Sequence, residues 1–273
     1  MTHDYTLAYG THATPHDGRC AMEWVSYLAG ESHSDQPHCV SPVLRAMCIA
    51  LNDGLEQGPR QRLRPYLTRT IGTTDDGLDG ARAWMAMDWL ARLYTPAWLR
   101  LAGLHAAADR LAALDPFTDA GTLSVGLTAL EEARHEARAA RGRAFRAPLP
   151  TGWAAGVAAS MAGREVAWAC AGAAAWAAAR VGIGAADGDR ARAAARAAAG
   201  DAAAIAVRHS RQAAGGGGVR TLARAALAPT VDSLADAALA LLDRMLPTEV
   251  LTLPEAATAP AGAPAADEAL APV

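Results

Sequence analysis

Apolar positions recur three and four residues apart along most of the chain, the spacing of helices that bury one face. The clearest case follows Ser41-Pro42, an N-cap residue with proline at the first helical position. Behind it Val43, Leu44, Met47, Cys48 and Leu51 share one face, and Asn52-Asp53-Gly54 supplies a stop. Upstream, residues 20–29 read as a short helix ended by Gly30, with a loop over 31–39.

The same periodicity predicts a basic helix over 60–71 and a longer one over 78–94 carrying Trp84, Met85 and Trp89. Thr95-Pro96 caps another, which runs to about Leu114 before Pro116. Residues 123–145 form a charged helix with acid and arginine near i, i+4 spacing, such as Glu131, Glu132 and Glu136 against Arg134 and Arg138. Beyond Pro148 and Pro150, residues 153–207 are alanine-rich and predict two helices separated by residues 182–189. A glycine break at 215–218 precedes an amphipathic stretch, 219–246, with Leu234, Ala238, Leu241, Leu242 and Met245 on one side, split or kinked at Pro229. The tail after Pro247 is alanine, proline and acid, too poor in apolar side chains to offset its ordering entropy.

Composition narrows the class. Of 273 residues 52% are hydrophobic, which supports a core, but alanine inflates that share and only 5% are aromatic. Thin helix-on-helix packing fits best, so the expected fold is all-α: a multi-helix bundle (41–146) with an irregular N-terminal Cys/His segment (1–40), an alanine-rich helical lobe (150–246) and a disordered tail (247–273). The net charge of −3 favours neither nucleic acid nor anionic lipid. There is no lysine; all 25 basic residues besides histidine are arginine, a usage that reads as GC-rich coding. Four cysteines are too few for a disulfide scaffold and no secretory leader opens the chain, which points to a reducing cytoplasm. The most apolar stretch, 166–183, is built of alanine and interrupted by Arg180, so no membrane span is expected.

Several short stretches, Cys20-Ala21-Met22-Glu23, Leu28-Ala29-Gly30-Glu31, Pro37-His38-Cys39-Val40-Ser41-Pro42-Val43, Asn52-Asp53, Arg60-Gln61-Arg62-Leu63 and Leu242-Asp243-Arg244-Met245, carry a resemblance. By these the chain resembles a family of uncharacterised helical proteins from actinobacteria, with their phages as a further source. The resemblance implies a shared fold and brings no reaction with it.

Side chains able to do chemistry concentrate in residues 12–53: His12, His16, Asp17, Cys20, Glu23, Glu31, His33, Asp35, His38, Cys39 and Asp53. Three readings follow. If a helix starts at Thr14-Pro15, His16, Cys20 and Glu23 share a face, and the following loop can return His33, His38 or Cys39 to complete a site for zinc or another divalent transition metal. There is no C-x-x-C pair or H-E-x-x-H pattern to sharpen this. On the second reading Cys20 and Cys48 are small buried apolar residues, Glu31 and Asp35 cap helices or turns, and the histidines are solvated. On the third, Asp17 is an N-cap, which places Cys20 where the helix dipole lowers its pKa toward a thiolate, with His33 or His38 as base.

Elsewhere the signals are weaker. Asp88 and Arg92 between Trp84 and Trp89 read as a packing face with an ion pair. Arg60, Arg62, Arg64 and Arg69 beside Tyr66 read as a solvated basic face, residues 215–218 as a linker, and His105, His135 and His209 as structural or exposed. The leading functional expectation is therefore a metal-binding helical protein with a binding or interaction role, the metal holding segment 12–40. A metal- or thiol-dependent enzyme using the same segment is the alternative. The third is a structural protein that forms homo-oligomers through its alanine-rich lobe.

Overall fold

The computed structural model describes residues 5–146 and 217–247, and these are helix and turn with no strand. The helices expected at 153–207, the tail after 247, Cys170 and His209 lie outside the described residues. No helix among the described residues is long and apolar enough to cross a membrane.

Helix α1 (Ala21–Leu28) begins at Cys20, whose backbone is extended and whose thiol accepts from the N–H of Glu23. It ends at Gly30 with φ +72°, where the Glu31 N–H closes on the Ser26 carbonyl at 2.9 Å. Helix α2 (Pro42–Gly54) is capped as its sequence predicts: the Ser41 hydroxyl accepts from Val43 and Leu44, and Pro42 opens the helix. Its buried face carries Val43, Leu44, Met47, Cys48 and Leu51.

The basic helix expected over 60–71 is divided into α3 (Gln57–Arg60), a 3-10 turn (Gln61–Leu63) and α4 (Arg64–Thr70). Pro65, in the first turn of α4, has no N–H for the Gln61 carbonyl, so one α-helical ladder cannot run unbroken through the stretch. The buried Arg60 guanidinium donates to the carbonyls of Asn52 at 2.6 Å and Leu55 at 2.9 Å, and so satisfies the open end of α2. Helix α5 (Asp79–Trp89) runs through a π-turn (Leu90–Tyr94) into α6 (Thr95–Leu101). Thr95-Pro96 is thus not a helix start. Pro96 has no N–H to give Arg92, and the widened turn upstream absorbs the missing bond. The chain breaks instead at Gly103, φ +78°, before α7 (His105–Ala112) and the long α8 (Ala120–Arg146).

The last helix, α9 (Gly217–Met245), starts within the expected glycine break and passes through Pro229 without ending. Pro229 stands on the exposed side, where water can serve the carbonyl that proline leaves free. The opposite side, with Leu234, Leu241 and Leu242, packs against α2 and α5 in one core with Met22, Met47, Met87 and Trp98. Buried Arg82 fastens the end of α9: its Nε donates to the Met245 carbonyl at 2.9 Å while its terminal nitrogens hold Asp76 at 2.8 and 2.6 Å. The Ser41 hydroxyl meets Asp79, joining the start of α2 to the start of α5.

Candidate functional site

Ahead of α1 the chain runs extended across α1, α2 and α4. Side chains from elsewhere hold this strap at Leu7, Ala8, Gly10, Thr11 and His12. Gln61 accepts from the Leu7 N–H at 2.9 Å and donates to its carbonyl at 3.0 Å. Asn52 donates to the Ala8 carbonyl at 2.9 Å and accepts from the Ala21 N–H at 3.1 Å. Asp53 takes the Gly10 N–H at 3.0 Å, and the Thr11 hydroxyl donates to Asp35 at 2.9 Å.

The strap ends on Glu23, whose side chain is 0% exposed. One carboxylate oxygen accepts from the His12 N–H at 2.6 Å; the other accepts from His12 Nδ1 at 2.8 Å and from the Cys20 N–H at 2.7 Å. His33 Nε2 lies 3.8 Å from the same carboxylate and 3.0 Å from the His12 carbonyl. Burial alone would raise the Glu23 pKa, but the two backbone N–H groups and the His12 ring outweigh it and hold the carboxyl below its ordinary range. With Cys20 at the N-cap and Glu23 three residues on, the pair forms a capping box in which a thiol stands where serine or threonine is usual.

This arrangement fixes His12. Nδ1 carries the proton donated to Glu23, so Nε2 is left without a hydrogen-bond partner among the described residues, on a side chain 12% exposed. Gly18, at φ +118°, makes room for the ring: a Cβ there would lie 3.2 Å from Nε2.

The remaining candidates gather in a second knot. Glu31 accepts from the N–H of His38 at 2.7 Å and of Cys39 at 2.9 Å, and takes the Cys39 thiol proton as well. His16 is exposed in the turn before α1, so His16, Cys20 and Glu23 do not share a helix face. The six residues expected to share a metal are thus divided: Cys20, Glu23 and His33 meet at the first knot, His38 and Cys39 at the second, and His16 at neither. Among the described residues no group of three or more His, Cys, Asp or Glu side chains has the geometry to hold a metal ion.

The thiolate reading also meets a correction. Cys20 is the N-cap itself and not the third helical residue. Burial, with the Glu23 carboxylate beside it, pushes its thiol up to about 12. Burial and Glu31 do the same to Cys39, also to about 12, and burial with Cys20 nearby raises Cys48 to about 12. The arginines read as a basic face are engaged within the protein: Arg62 with Asp236 at 2.6 Å, Arg69 with Asp243, Arg64 with the Tyr5 carbonyl at 2.9 Å. Asp88 and Arg92 pair as expected, at 2.9 Å, and Asp88 also accepts from the Phe117 N–H.

Sequence reasoning placed His12 in the right segment but outside the chosen ligand set. The spacing Cys20-x-x-Glu23 was the available signal, since a capping box turns its glutamate back toward the chain that precedes the helix. No protein-family model, curated protein or solved structure matches the chain.

Proposed function

We propose that this protein binds a divalent transition metal through its N-terminal segment, with His12 Nε2 as the first ligand and a binding or interaction role for the loaded protein. One observation carries the reading: a buried carboxylate holds His12 by Nδ1 and leaves Nε2 as the donor. That carboxylate–imidazole arrangement commonly stands behind metal-bound histidine, fixing its tautomer and raising its basicity. Glu23 orients and does not ligate, because its oxygens already accept three N–H groups. His16, exposed on the turn, and His33, on the loop, are the further imidazoles of the segment, and they would have to move to join His12, since no three such side chains are gathered among the described residues. Cys20 and Cys39 are poorer ligands here, since each must lose a proton held to about 12. Imidazole donors suit zinc, copper or nickel above magnesium or calcium.

Calorimetric titration of the metal-free full chain with Zn²⁺, with elemental analysis of the product, tests this. About one equivalent should bind to the wild type. His12→Asn, whose amide replaces the Nδ1–H donor to Glu23 but offers no Nε2, should lose that equivalent while keeping the wild-type melting temperature. His105→Ala, at an exposed position at the start of α7, should bind normally. Absence of saturable binding by the wild type, or retention of it by His12→Asn, refutes the proposal.

A further inference from the structure

A second site, independent of the His12 centre, stands on the outer face of α1. Arg19 lies in the corner between two aromatic rings, its guanidinium carbon 4.8 Å from the Trp24 ring centre and 4.7 Å from that of Tyr27. The rings meet edge to face at 5.6 Å and 85°, and Tyr5 stacks on Trp24 at 4.4 Å, so the corner has a rigid wall. Trp24 is fixed further by its indole N–H, which donates to the Thr6 carbonyl at 3.1 Å.

What the corner lacks is an anion. The described arginines from Arg45 to Arg134 each have a carboxylate or carbonyl partner, such as Arg45 with Pro37 and Arg100 with Asp109; Arg19, like the exposed Arg138 and Arg244, has neither a hydrogen bond nor an ion pair from its side chain among the described residues. Its Nε is buried without a partner, while the two terminal nitrogens are not buried. A guanidinium pinned by stacked rings has already lost much of the freedom that binding would otherwise remove, and it presents its donors in a planar fork matched to two oxygens. Beside the fork, Tyr27 is 59% exposed, and its ring offers a flat apolar surface.

We propose that Arg19, Trp24 and Tyr27 form a recognition site for an oxyanion, a phosphate monoester or a carboxylate, borne on a planar ring. The oxyanion takes the open guanidinium donors and the ring lies against Tyr27. Both halves are needed, because one exposed charge pair in water contributes little by itself.

The test titrates the full chain with phenyl phosphate, benzoate, inorganic phosphate, acetate and phenol by calorimetry, for the wild type, Arg19→Lys and Tyr27→Ser. Phenyl phosphate or benzoate should bind saturably, and which of them binds tighter identifies the oxyanion. The fragments lacking ring or charge should bind at least tenfold more weakly. Arg19→Lys retains charge and stem but loses the planar fork. With hydrogen bonds to charged groups contributing about 1.5–3 kcal/mol, affinity should fall on the order of tenfold or more. Tyr27→Ser should reduce phenyl phosphate to the level of inorganic phosphate, and neither variant should alter the zinc titration. Failure of both ring-bearing anions to saturate, equal binding by Arg19→Lys, or equal binding of inorganic and phenyl phosphate overturns the proposal.

Discussion

Glu23→Gln isolates the charge and acceptor pattern of the buried carboxylate at nearly constant volume. The wild-type group accepts from the His12 N–H at 2.6 Å, His12 Nδ1 at 2.8 Å and the Cys20 N–H at 2.7 Å. In glutamine one oxygen becomes an NH₂ that cannot accept. The less costly orientation turns it toward the single His12 N–H and keeps the oxygen on the other two donors. One buried N–H is then orphaned, and two bonds fall from charged to neutral strength. Hydrogen bonds to charged groups contribute about 1.5–3 kcal/mol and neutral ones about 1, so the variant should lose roughly 3–4 kcal/mol. For a folded unit of this size that is roughly 10 °C in melting temperature. Thermal unfolding followed by circular dichroism measures it. Glu132→Gln serves as control, since its 3.6 Å contact with Arg110 is exposed and should be worth less than about 0.5 kcal/mol. A Glu23→Gln melt within about 2 °C of the wild type would refute the assignment of Glu23 as the anchor of the strap.

Two further outcomes follow from the core and the thiols. Leu242→Ala, at a position 0% exposed on α9, should cost about 2–5 kcal/mol in urea unfolding, and a loss below about 1 would separate α9 from the N-terminal core. The alkaline limb of stability should be steep, because Cys20, Cys39 and Cys48 are each raised from an ordinary 9.0 to about 12 in the folded protein. A raised folded pKa gives stability that is whole below 9 and declines as pH climbs toward 12, since the unfolded chain releases those protons first. Urea midpoints at pH 8, 9.5 and 11 should therefore fall, and fall less for Cys48→Ala; an identical pH slope in that variant would show that Cys48 ionises freely when folded.

The parts of the fold legible from sequence are those written in local chemistry. Ser41-Pro42 and the apolar face behind it give α2 its bounds almost to the residue, because cap, proline and periodicity all act within one turn. The misreadings arose where long-range packing overrides a local rule. Pro229 reads as a split or a kink; the helix is not split there, because Pro229 stands on the solvent side of a helix whose other side is held by α2 and α5. Thr95-Pro96 looked like a cap, yet the helix before it widens and continues. The site shows the same division. The density of His, Cys and acid over 12–53 located it, but which histidine meets Glu23 depends on the strap. Its path is set by Gln61, Asn52 and Asp53, some 43 to 54 residues away in sequence, and no spacing within the segment encodes that.

The grip of Arg82 on the Met245 carbonyl has a consequence for how the protein is made. The two residues are 163 positions apart, so at ordinary synthesis rates roughly ten to thirty seconds separate their appearance. For that interval the faces of α2 and α5 that α9 covers stay open to water and to other chains, and a guanidinium destined for burial lacks its carbonyl. The helices ahead of residue 146 can form as they emerge. The part of the core that α9 covers closes only once residue 246 is free of the ribosome, which places the completion of folding after that point.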